Sequence, residues 1–226
     1  MTAKQAVRMP GLPVCPVIRG DGEGKMVALH ARDVREIRCF VLPEGTQVAI
    51  AVQQWAEKMG IPQKTSFKHH GTVEEGVEAA LACDSPGCLP IFWTYAAYPG
   101  LPDLCQKHPE ARIFHWVFRM ELEEVVLATR PELAKEINGS IPVGWLVAYE
   151  NFSRHLATQV SKRTELTDNN AEAARLVAAK MCNACITTVS AQRQQGLTVL
   201  HQFGSPGEMV FFGGVGPNGI ELMKAK

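Results

Sequence analysis

The stretch that most constrains the fold is residues 39–46, Cys-Phe-Val-Leu-Pro-Glu-Gly-Thr. It predicts a short apolar strand, a tight turn at Pro43-Glu44-Gly45 and a helix that begins at Thr46. The first amide groups of a helix have no partner within the helix, and the helix dipole favours negative charge there. The stretch therefore predicts a backbone site for a carboxylate or a phosphate. The alternative is an ordinary strand-to-helix turn in which glycine serves only the geometry.

Composition restricts the class of protein. The 226 residues are 46% hydrophobic and 20% charged, which suits one large or two small lobes. Lysine plus arginine and aspartate plus glutamate each total 23, and no basic stripe stands out, so nucleic acid is not an expected partner. No apolar run has the length of a membrane span, and the N-terminus lacks the apolar core of a secretory signal. We therefore expect no membrane partner and predict a cytoplasmic protein.

The seven cysteines favour reduced thiols, because an odd number does not fit a disulfide framework. The pairs Cys182 with Cys185 and Cys83 with Cys88 have spacings that could imitate a zinc or redox site. The first pair lies in an apolar run typical of a buried strand, where cysteine is a common small core residue. We predict structural cysteines, no metal and no cofactor, with zinc and redox chemistry as the alternatives.

Strand and helix patterns alternate along the chain, which predicts an α/β protein with largely parallel sheets. A capping box at Thr72 and side-chain caps at Asn151 and Asp168-Asn169-Asn170 predict helix starts. The helix after Asn151 would turn Phe152, Leu156 and Val160 inward. Residues 1–37 predict an irregular extension with one strand near residues 25–29, and the glycine-rich residues 213–217 predict a plain loop.

Two blocks of sequence resemble one enzyme family. Residues 41–46, Val-Leu-Pro-Glu-Gly-Thr, are followed by an amphipathic helix and resemble the G-P-E-G-T opening of prephenate dehydratases. The segments that begin at Asn170, Asn183 and Gln195 resemble the closing helix, strand and helix of that family. The order and spacing of the blocks also fit. The resemblance covers residues 38–216.

The departures from that family are also informative. Its T-R-F motif is absent from residues 206–212, its E-N-S-x-x-G motif keeps only Gly100, and its S-H-P motif is replaced by Tyr149-Glu150-Asn151. The non-aromatising prephenate decarboxylases of the bacilysin-pathway type also keep P-E-G-T and lack T-R-F. The chain is more similar to them, through Ala97-Tyr98-Pro99-Gly100, Phe118-Arg119, Ala173-Ala174-Arg175 and Phe212-Gly213.

The resemblance implies a two-lobed α/β fold like that of type II periplasmic binding proteins, as in the prephenate dehydratase catalytic domain. Residues 38–118 plus 201–226 would form lobe one, and residues 119–200 would form lobe two. A small-molecule dicarboxylate such as prephenate would bind between the lobes. A homodimer is a possible assembly.

The implied activity is that of a carbon–carbon lyase. It would decarboxylate prephenate without aromatisation to a dihydro-hydroxyphenylpyruvate, in the biosynthesis of a specialised metabolite such as an antibiotic. Such an enzyme anchors the pyruvyl carboxylate, leaves the ring carboxylate poorly solvated and delivers one proton to the ring. The alternatives are a prephenate dehydratase that forms phenylpyruvate with other acids, and a carboxylate-binding module without catalysis.

Helix starts supply the expected substrate-binding groups. Thr46 and Gln47 begin the helix after Pro-Glu-Gly, and Thr187 and Thr188 would face them at the start of a second-lobe helix. Hydroxyls and amides there bind an anion without a buried counter-charge. Helix capping uses the same residue types and is the alternative for each of them.

Three further substrate-binding residues are expected at other elements. Arg119 could clamp a carboxylate with two parallel hydrogen bonds, the alternative being a salt bridge with Glu121 or Glu123. Asn151 could donate from the start of a helix, unless it serves only as the cap. Gly100 is the glycine kept from the family's loop motif.

The candidate proton donors, and thus the expected catalytic residues, are Tyr98, Tyr95 and His155. Tyr98 is preferred because it precedes Pro99-Gly100 in a loop after a strand, where sites lie on α/β sheets. Packing of the two tyrosines is the alternative. His155 lies one turn into a helix, where a histidine also serves as an ordinary surface or packing residue.

Overall fold

The computed structural model describes residues 33–109, 114–137, 140–142, 144–216 and 218–219. By its internal contacts the chain divides into two compact units. Unit 1 comprises Met1–Leu42, Ala51–Met120 and Glu208–Lys226, and unit 2 comprises Pro43–Ile50 and Glu121–Gly207. The predicted strand at residues 25–29 lies outside the described residues, as does most of the predicted extension. The predicted lobe boundaries remain predictions.

In the described part of the chain, ten strands form the sheets: β1 (Glu36–Val41), β2 (Thr65–His69), β3 (Cys88–Tyr95), β4 (Phe114–Glu121), β5 (Val125–Thr129), β6 (Leu146–Glu150), β7 (Arg163–Thr167), β8 (Ala184–Thr188), β9 (Thr198–Gly204) and β10 (Glu208–Val215). The α-helices are α1 (Gln47–Lys58), α2 (Val73–Leu81), α3 (Leu101–Lys107), α4 (Pro131–Ala134), α5 (Arg154–Val160), α6 (Asn170–Ala178) and α7 (Val189–Gln194). Short 3₁₀ helices cover Pro62–Lys64 and Asn151–Ser153. No helix in the described ranges is long and apolar enough to cross a membrane.

Each unit contains one mixed five-stranded sheet. The strand order is β2-β1-β3-β10-β4 in unit 1 and β7-β6-β8-β5-β9 in unit 2. Strand β1 is parallel to β2 and β3, and β6 is parallel to β7 and β8. Strand β10 is antiparallel to β3, and β5 is antiparallel to β8 and β9. The prediction of largely parallel sheets is therefore wrong, because β10 and β5 run antiparallel to the strands that they pair with.

Aromatic rings fill the core of unit 1. Trp55 on α1 meets Trp93 on β3 at a centroid distance of 4.7 Å. Phe118 on β4 meets Trp93 at 5.6 Å and Phe211 on β10 at 5.3 Å. All four side chains are buried. Edge-to-face and offset pairs of this kind add to the hydrophobic stabilisation from burial.

The glycines of β10 make room for these rings. Gly213 lies opposite Trp93 and Gly214 opposite Phe92 in the antiparallel pair. A Cβ at Gly213 would come within 2.7 Å of the Trp93 ring, and one at Gly214 would overlap the Phe92 ring. The predicted loop at residues 213–217 is therefore wrong as far as Val215, because β10 runs through both glycines.

The core of unit 2 is built from smaller residues. Ala173, Ala174 and Val177 on α6 pack against β6 and β8, where Ala148 and Cys185 are fully buried. Small side chains allow the helix to lie close to the sheet. Cys182 and Cys185 are both buried in this cluster, which confirms their predicted place in the core.

Two helix starts confirm the predictions made from local signals. The Thr72 hydroxyl accepts a hydrogen bond from the Glu75 amide, and the Glu75 carboxylate accepts one from the Thr72 amide, so α2 begins with a complete capping box. The Asn169 side chain accepts from the Glu172 amide and caps α6. Both signals involve residues only three positions apart, so the surrounding fold hardly affects them.

Candidate functional site

The strand orders place a topological switch point in each sheet. In unit 1, β2 and β3 lie on opposite sides of β1, and in unit 2, β7 and β8 lie on opposite sides of β6. Such a reversal leaves a crevice at the carboxyl ends of the parallel strands, where ligands bind in open α/β sheets. The flanking strands end at Val41 and Tyr95 in unit 1, and at Glu150 and Thr188 in unit 2.

The Pro43-Glu44-Gly45 turn is held by the β8–α7 junction within unit 2. Thr188 Oγ1 donates to the Gly45 carbonyl at 2.7 Å, and it accepts from the Ala191 amide at 3.1 Å as the cap of α7. Gly45 has a φ of +85°, and a Cβ there would lie 3.1 Å from the Ala191 Cα. Glycine is therefore required both for the backbone conformation and for the close approach of α7.

Thr46 and Gln47 both make hydrogen bonds within unit 2. Thr46 Oγ1 donates to the Pro43 carbonyl at 2.8 Å and accepts from the Ala49 amide at 3.3 Å, so it caps α1. Gln47 bonds the main chain of Glu123 twice, at 2.9 and 2.8 Å. The main-chain amides of Gln47 and Val48 have no hydrogen-bond partner among the described residues. These two amides are the groups that α1 offers to an anion.

The start of α7 already holds a carboxylate from the chain itself. Glu123 accepts from the Ser190 amide at 3.0 Å and from the Ser190 hydroxyl at 2.6 Å. A negative charge is favourable at this position because the first amides of the helix point towards it. Thr187 is fully buried and donates to the Asn170 carbonyl at 2.7 Å. A ligand carboxylate at this helix start would therefore have to displace Glu123, whose role as a cap no local pattern predicts.

Glu150 is the most perturbed carboxyl group at the unit 2 switch point. It is the last residue of β6, lies opposite Thr167 of β7 and is partly buried. Burial raises its pKa to about 7, and a hydrogen bond from the Asn170 side chain offsets only part of that rise. A carboxyl group with such a pKa exchanges a proton near neutral pH. In the sequence, Glu150 directly follows the apolar residues 145–149, and an acidic residue at that place is the signal for a site at a strand end.

Tyr95, Tyr98 and Gly100 come together at the unit 1 switch point. The two tyrosine rings meet at a centroid distance of 5.7 Å. The Tyr98 hydroxyl donates to the Glu74 carboxylate of α2, and burial together with this carboxylate raises the pKa of Tyr98. A Cβ at Gly100 would lie 2.9 Å from the Tyr98 hydroxyl. A phenol with a raised pKa releases its proton less readily, which makes Tyr98 a weaker acid than an ordinary tyrosine.

Arg119, Asn151 and His155 have exposed side chains. Arg119 lies on β4 between the buried Phe118 and Met120. Asn151 is the first residue of the 3₁₀ turn, and neither this turn nor α5 has a side-chain cap. The alternative prediction that Asn151 caps a helix is therefore wrong. The prediction that Phe152 packs inward is also wrong, because its side chain is 42% exposed. The 3₁₀ turn delays α5 to Arg154, so Phe152 is not part of its helical stripe.

A shallow groove of about 330 Å³ lies elsewhere on unit 1. Arg38, Lys68, His69 and His70 contribute to its lining, but the residues predicted for substrate binding do not. Arg38 is neutralised by Glu36 at 2.7 Å. The lining of the groove therefore includes none of the residues of the anion site that the sequence predicts.

Comparison with known proteins gives structural relatives only. No protein-family model and no curated protein matches the chain. GqqA, a quorum-quenching acylase, is 13% identical with a TM-score of 0.54, over 80% of this chain and 64% of that one. The prephenate dehydratase of Staphylococcus aureus is 13% identical with a TM-score of 0.49, and the match covers 78% of this chain and 66% of that one. An ancestral amino acid-binding protein, a precursor of cyclohexadienyl dehydratase, is 13% identical with a TM-score of 0.39, over 88% of each chain.

These matches bear on the fold. The predicted α/β class is confirmed by the two mixed sheets and by the fold shared with GqqA. The chain spans less than two thirds of the first two relatives, 64% and 66% of their lengths. A shared fold does not give a shared reaction, because one fold hosts many unrelated activities.

Proposed function

We propose that this chain is a carbon–carbon lyase that removes the ring carboxylate of prephenate and keeps the ring hydroxyl. The product would be a dihydro-hydroxyphenylpyruvate, made for a specialised metabolite such as an antibiotic. We further propose a cytoplasmic location, which is consistent with the buried free thiols of Cys39, Cys88, Cys182 and Cys185. The sequence resemblance supplies the substrate and the reaction, and the geometry of unit 2 supports a ligand site.

The observation that carries the proposal is the hydrogen bond from Thr188 to the Gly45 carbonyl. These residues belong to the two sequence blocks that resemble prephenate enzymes, and 143 positions separate them. The bond holds the Pro-Glu-Gly turn in one conformation at the start of α1. The amides of Gln47 and Val48 would then bind the pyruvyl carboxylate, with Thr46 fixing the helix start.

A carboxylate-binding module without catalysis is the second candidate, because one of the two helix starts expected to hold the substrate is not free for it. The amide and hydroxyl of Ser190 at the start of α7 are already occupied by Glu123, and the side chain of Gln47 is bonded to the Glu123 main chain. A module of this kind would bind prephenate and leave it unchanged. The dehydratase alternative would release phenylpyruvate, although the T-R-F motif is absent.

The experiment is to incubate the purified chain with prephenate near neutral pH and follow products by proton NMR. We expect loss of prephenate above its uncatalysed rate and a product whose ring is not aromatic. Phenylpyruvate as the product would replace this proposal with the dehydratase. No consumption above the uncatalysed rate, together with saturable binding, would replace it with the binding module.

A variant tests the turn itself. Thr188→Val removes the donor to Gly45, and we expect KM for prephenate to rise about ten-fold, because a loosened turn no longer presents the α1 amides in one arrangement. Thr158→Val is the matched control, since the exposed Thr158 hydroxyl bonds only the His155 carbonyl in α5. Equal KM values for the two variants would contradict a role for the turn in binding.

A further inference from the structure

Glu150 and Asn170 form a polar pair at the switch point of unit 2. Glu150 ends β6, and Asn170 is the first residue of α6, which packs on β6 and β8. The Asn170 main chain is fixed by the hydrogen bond from Thr187 at the end of β8. Strands β6 and β8 flank the switch point, so the pair lies where ligands bind in open α/β sheets.

The Asn170 side chain has an unused acceptor. Asn170 is only 3% exposed, and its side-chain amide donates to Glu150. Its Oδ1 atom is buried and has no hydrogen-bond partner among the described residues. Leaving a buried polar atom unpaired is costly. A ligand hydroxyl or a protonated carboxyl group would supply the missing donor.

Glu150 has no ion-pair partner among the described residues. The titratable groups on the elements packed against it are Arg163 and Glu165 on β7, Cys185 on β8, Asp168 before α6, Glu172 and Arg175 on α6, and Arg154 and His155 on α5. Glu172 and Arg175 pair with each other at 2.6 Å. Burial raises the pKa of Glu150 and the Asn170 hydrogen bond lowers it, and no charged neighbour is among the causes.

We propose that Glu150 is the catalytic acid that protonates the substrate ring, and that Asn170 positions it through their side-chain hydrogen bond. This role rests on the proposed decarboxylation and adds the identity of the proton donor. Tyr98, Tyr95 and His155 are then not the donors.

The step balances as follows. The bond between the ring and its carboxylate breaks, CO₂ leaves, and the electron pair moves through the ring diene. A ring carbon takes the proton from the Glu150 carboxyl group, so that the ring carries one new C–H bond and Glu150 becomes a carboxylate. Solvent returns a proton to Glu150, and no oxidant or reductant is needed.

The test compares Glu150→Gln with Glu165→Gln, an exposed glutamate on the neighbouring strand β7. We expect kcat for prephenate to fall at least about 100-fold in Glu150→Gln, because glutamine has no proton to give, and to stay within about two-fold in Glu165→Gln. The KM should change little, which separates proton transfer from binding. Wild-type kcat/KM should decline above about pH 7, where Glu150 ionises.

Asn170→Ala tests the positioning role by a readout that a structural defect would not imitate. Its hydrogen bond favours the carboxylate, so its removal should move the decline of kcat/KM to higher pH. An unmoved decline would overturn the role of Asn170. If wild-type protein consumes prephenate, and Glu150→Gln keeps both the wild-type kcat and the decline of kcat/KM at high pH, then the acid is another residue and the proposed function stands. If wild-type protein does not consume prephenate, the proposed function fails, and the role of Glu150 fails with it.

Discussion

At the scale of single residues, a few side chains show how burial decides chemistry. Glu150 and Glu123 are both glutamates close to the ends of unit 2 strands. Glu123 accepts hydrogen bonds from both the amide and the hydroxyl of Ser190, whereas Glu150 has only the Asn170 amide and a raised pKa. The same carboxyl group therefore serves as a helix cap in one place and as an exchangeable acid in the other.

Glu150→Gln should stabilise the protein at alkaline pH. The folded-state pKa of Glu150 lies above its unfolded value of 4.5, at about 7. As pH rises from the lower to the higher value, the unfolded chain releases this proton and the folded chain retains it, so wild-type stability falls through this window and then levels. Allowing for the partial exposure of the side chain, the free energy of unfolding of Glu150→Gln relative to wild type should be higher at about pH 8 than at about pH 4, by on the order of 2 kcal/mol.

Urea unfolding of both proteins at the two pH values measures this difference. Glu165→Gln is the control, because Glu165 is an exposed glutamate on the neighbouring strand. An effect of Glu150→Gln that is the same at both pH values would contradict the raised pKa.

Gly45→Ala should destabilise unit 2 more than Gly196→Ala. Both glycines have positive φ values, +85° and +62°, but only a Cβ at Gly45 would crowd the Ala191 main chain, at 3.1 Å. We expect the free energy of unfolding to fall by about 1 kcal/mol in Gly196→Ala and by about 3 kcal/mol in Gly45→Ala. Chemical denaturation checks this, and equal costs would show that α7 does not hold the turn.

At the scale of elements, local sequence signals predicted where helices start better than they predicted where strands lie. The caps at Thr72 and Asn169 need only residues within one turn, and both helices begin where expected. Strand β2 and helix α3 were missed. The side chains of β2 (Thr-Ser-Phe-Lys-His) are half-buried or exposed at the edge of the sheet, so they lack an apolar pattern. Glycine is rare in strands, which is why β10 was predicted to end before Gly213.

Gly214→Ala should disrupt the pairing of β10 with β3. The new Cβ would overlap the ring of Phe92, which is fully buried and cannot move freely. We expect a loss of on the order of 2–3 kcal/mol in the free energy of unfolding. Phe92→Leu in the same chain should recover part of this loss, with a coupling energy of at least about 0.5 kcal/mol.

A double-mutant cycle by urea denaturation measures the coupling. Glu208→Ala serves as the control on the same strand, because Glu208 is exposed. Strictly additive effects of Gly214→Ala and Phe92→Leu would contradict the claim that Gly214 leaves space for the Phe92 ring.

At the scale of the whole molecule, the sequence predicts the α/β class but not the direction of every strand. Alternating patterns show which segments are strands, whereas the pairing of β10 with β3 joins residues more than a hundred positions apart. The candidate site divides in the same way. The Pro-Glu-Gly turn and its helix were predicted from adjacent residues, and Thr188 was assigned from its place at a helix start. The burial of Glu150 and the capping by Glu123 depend on tertiary packing, which local patterns do not contain.

The central claim is that prephenate loses CO₂, keeps its hydroxyl and gains one proton on the ring. The direct measurement is turnover in D₂O, with the product examined by NMR and mass spectrometry. We predict a non-aromatic product that retains the ring hydroxyl and carries one new ring C–D bond. An aromatic product without ring deuterium, formed with loss of the hydroxyl, would contradict the account, as would prephenate that is bound but returned unchanged.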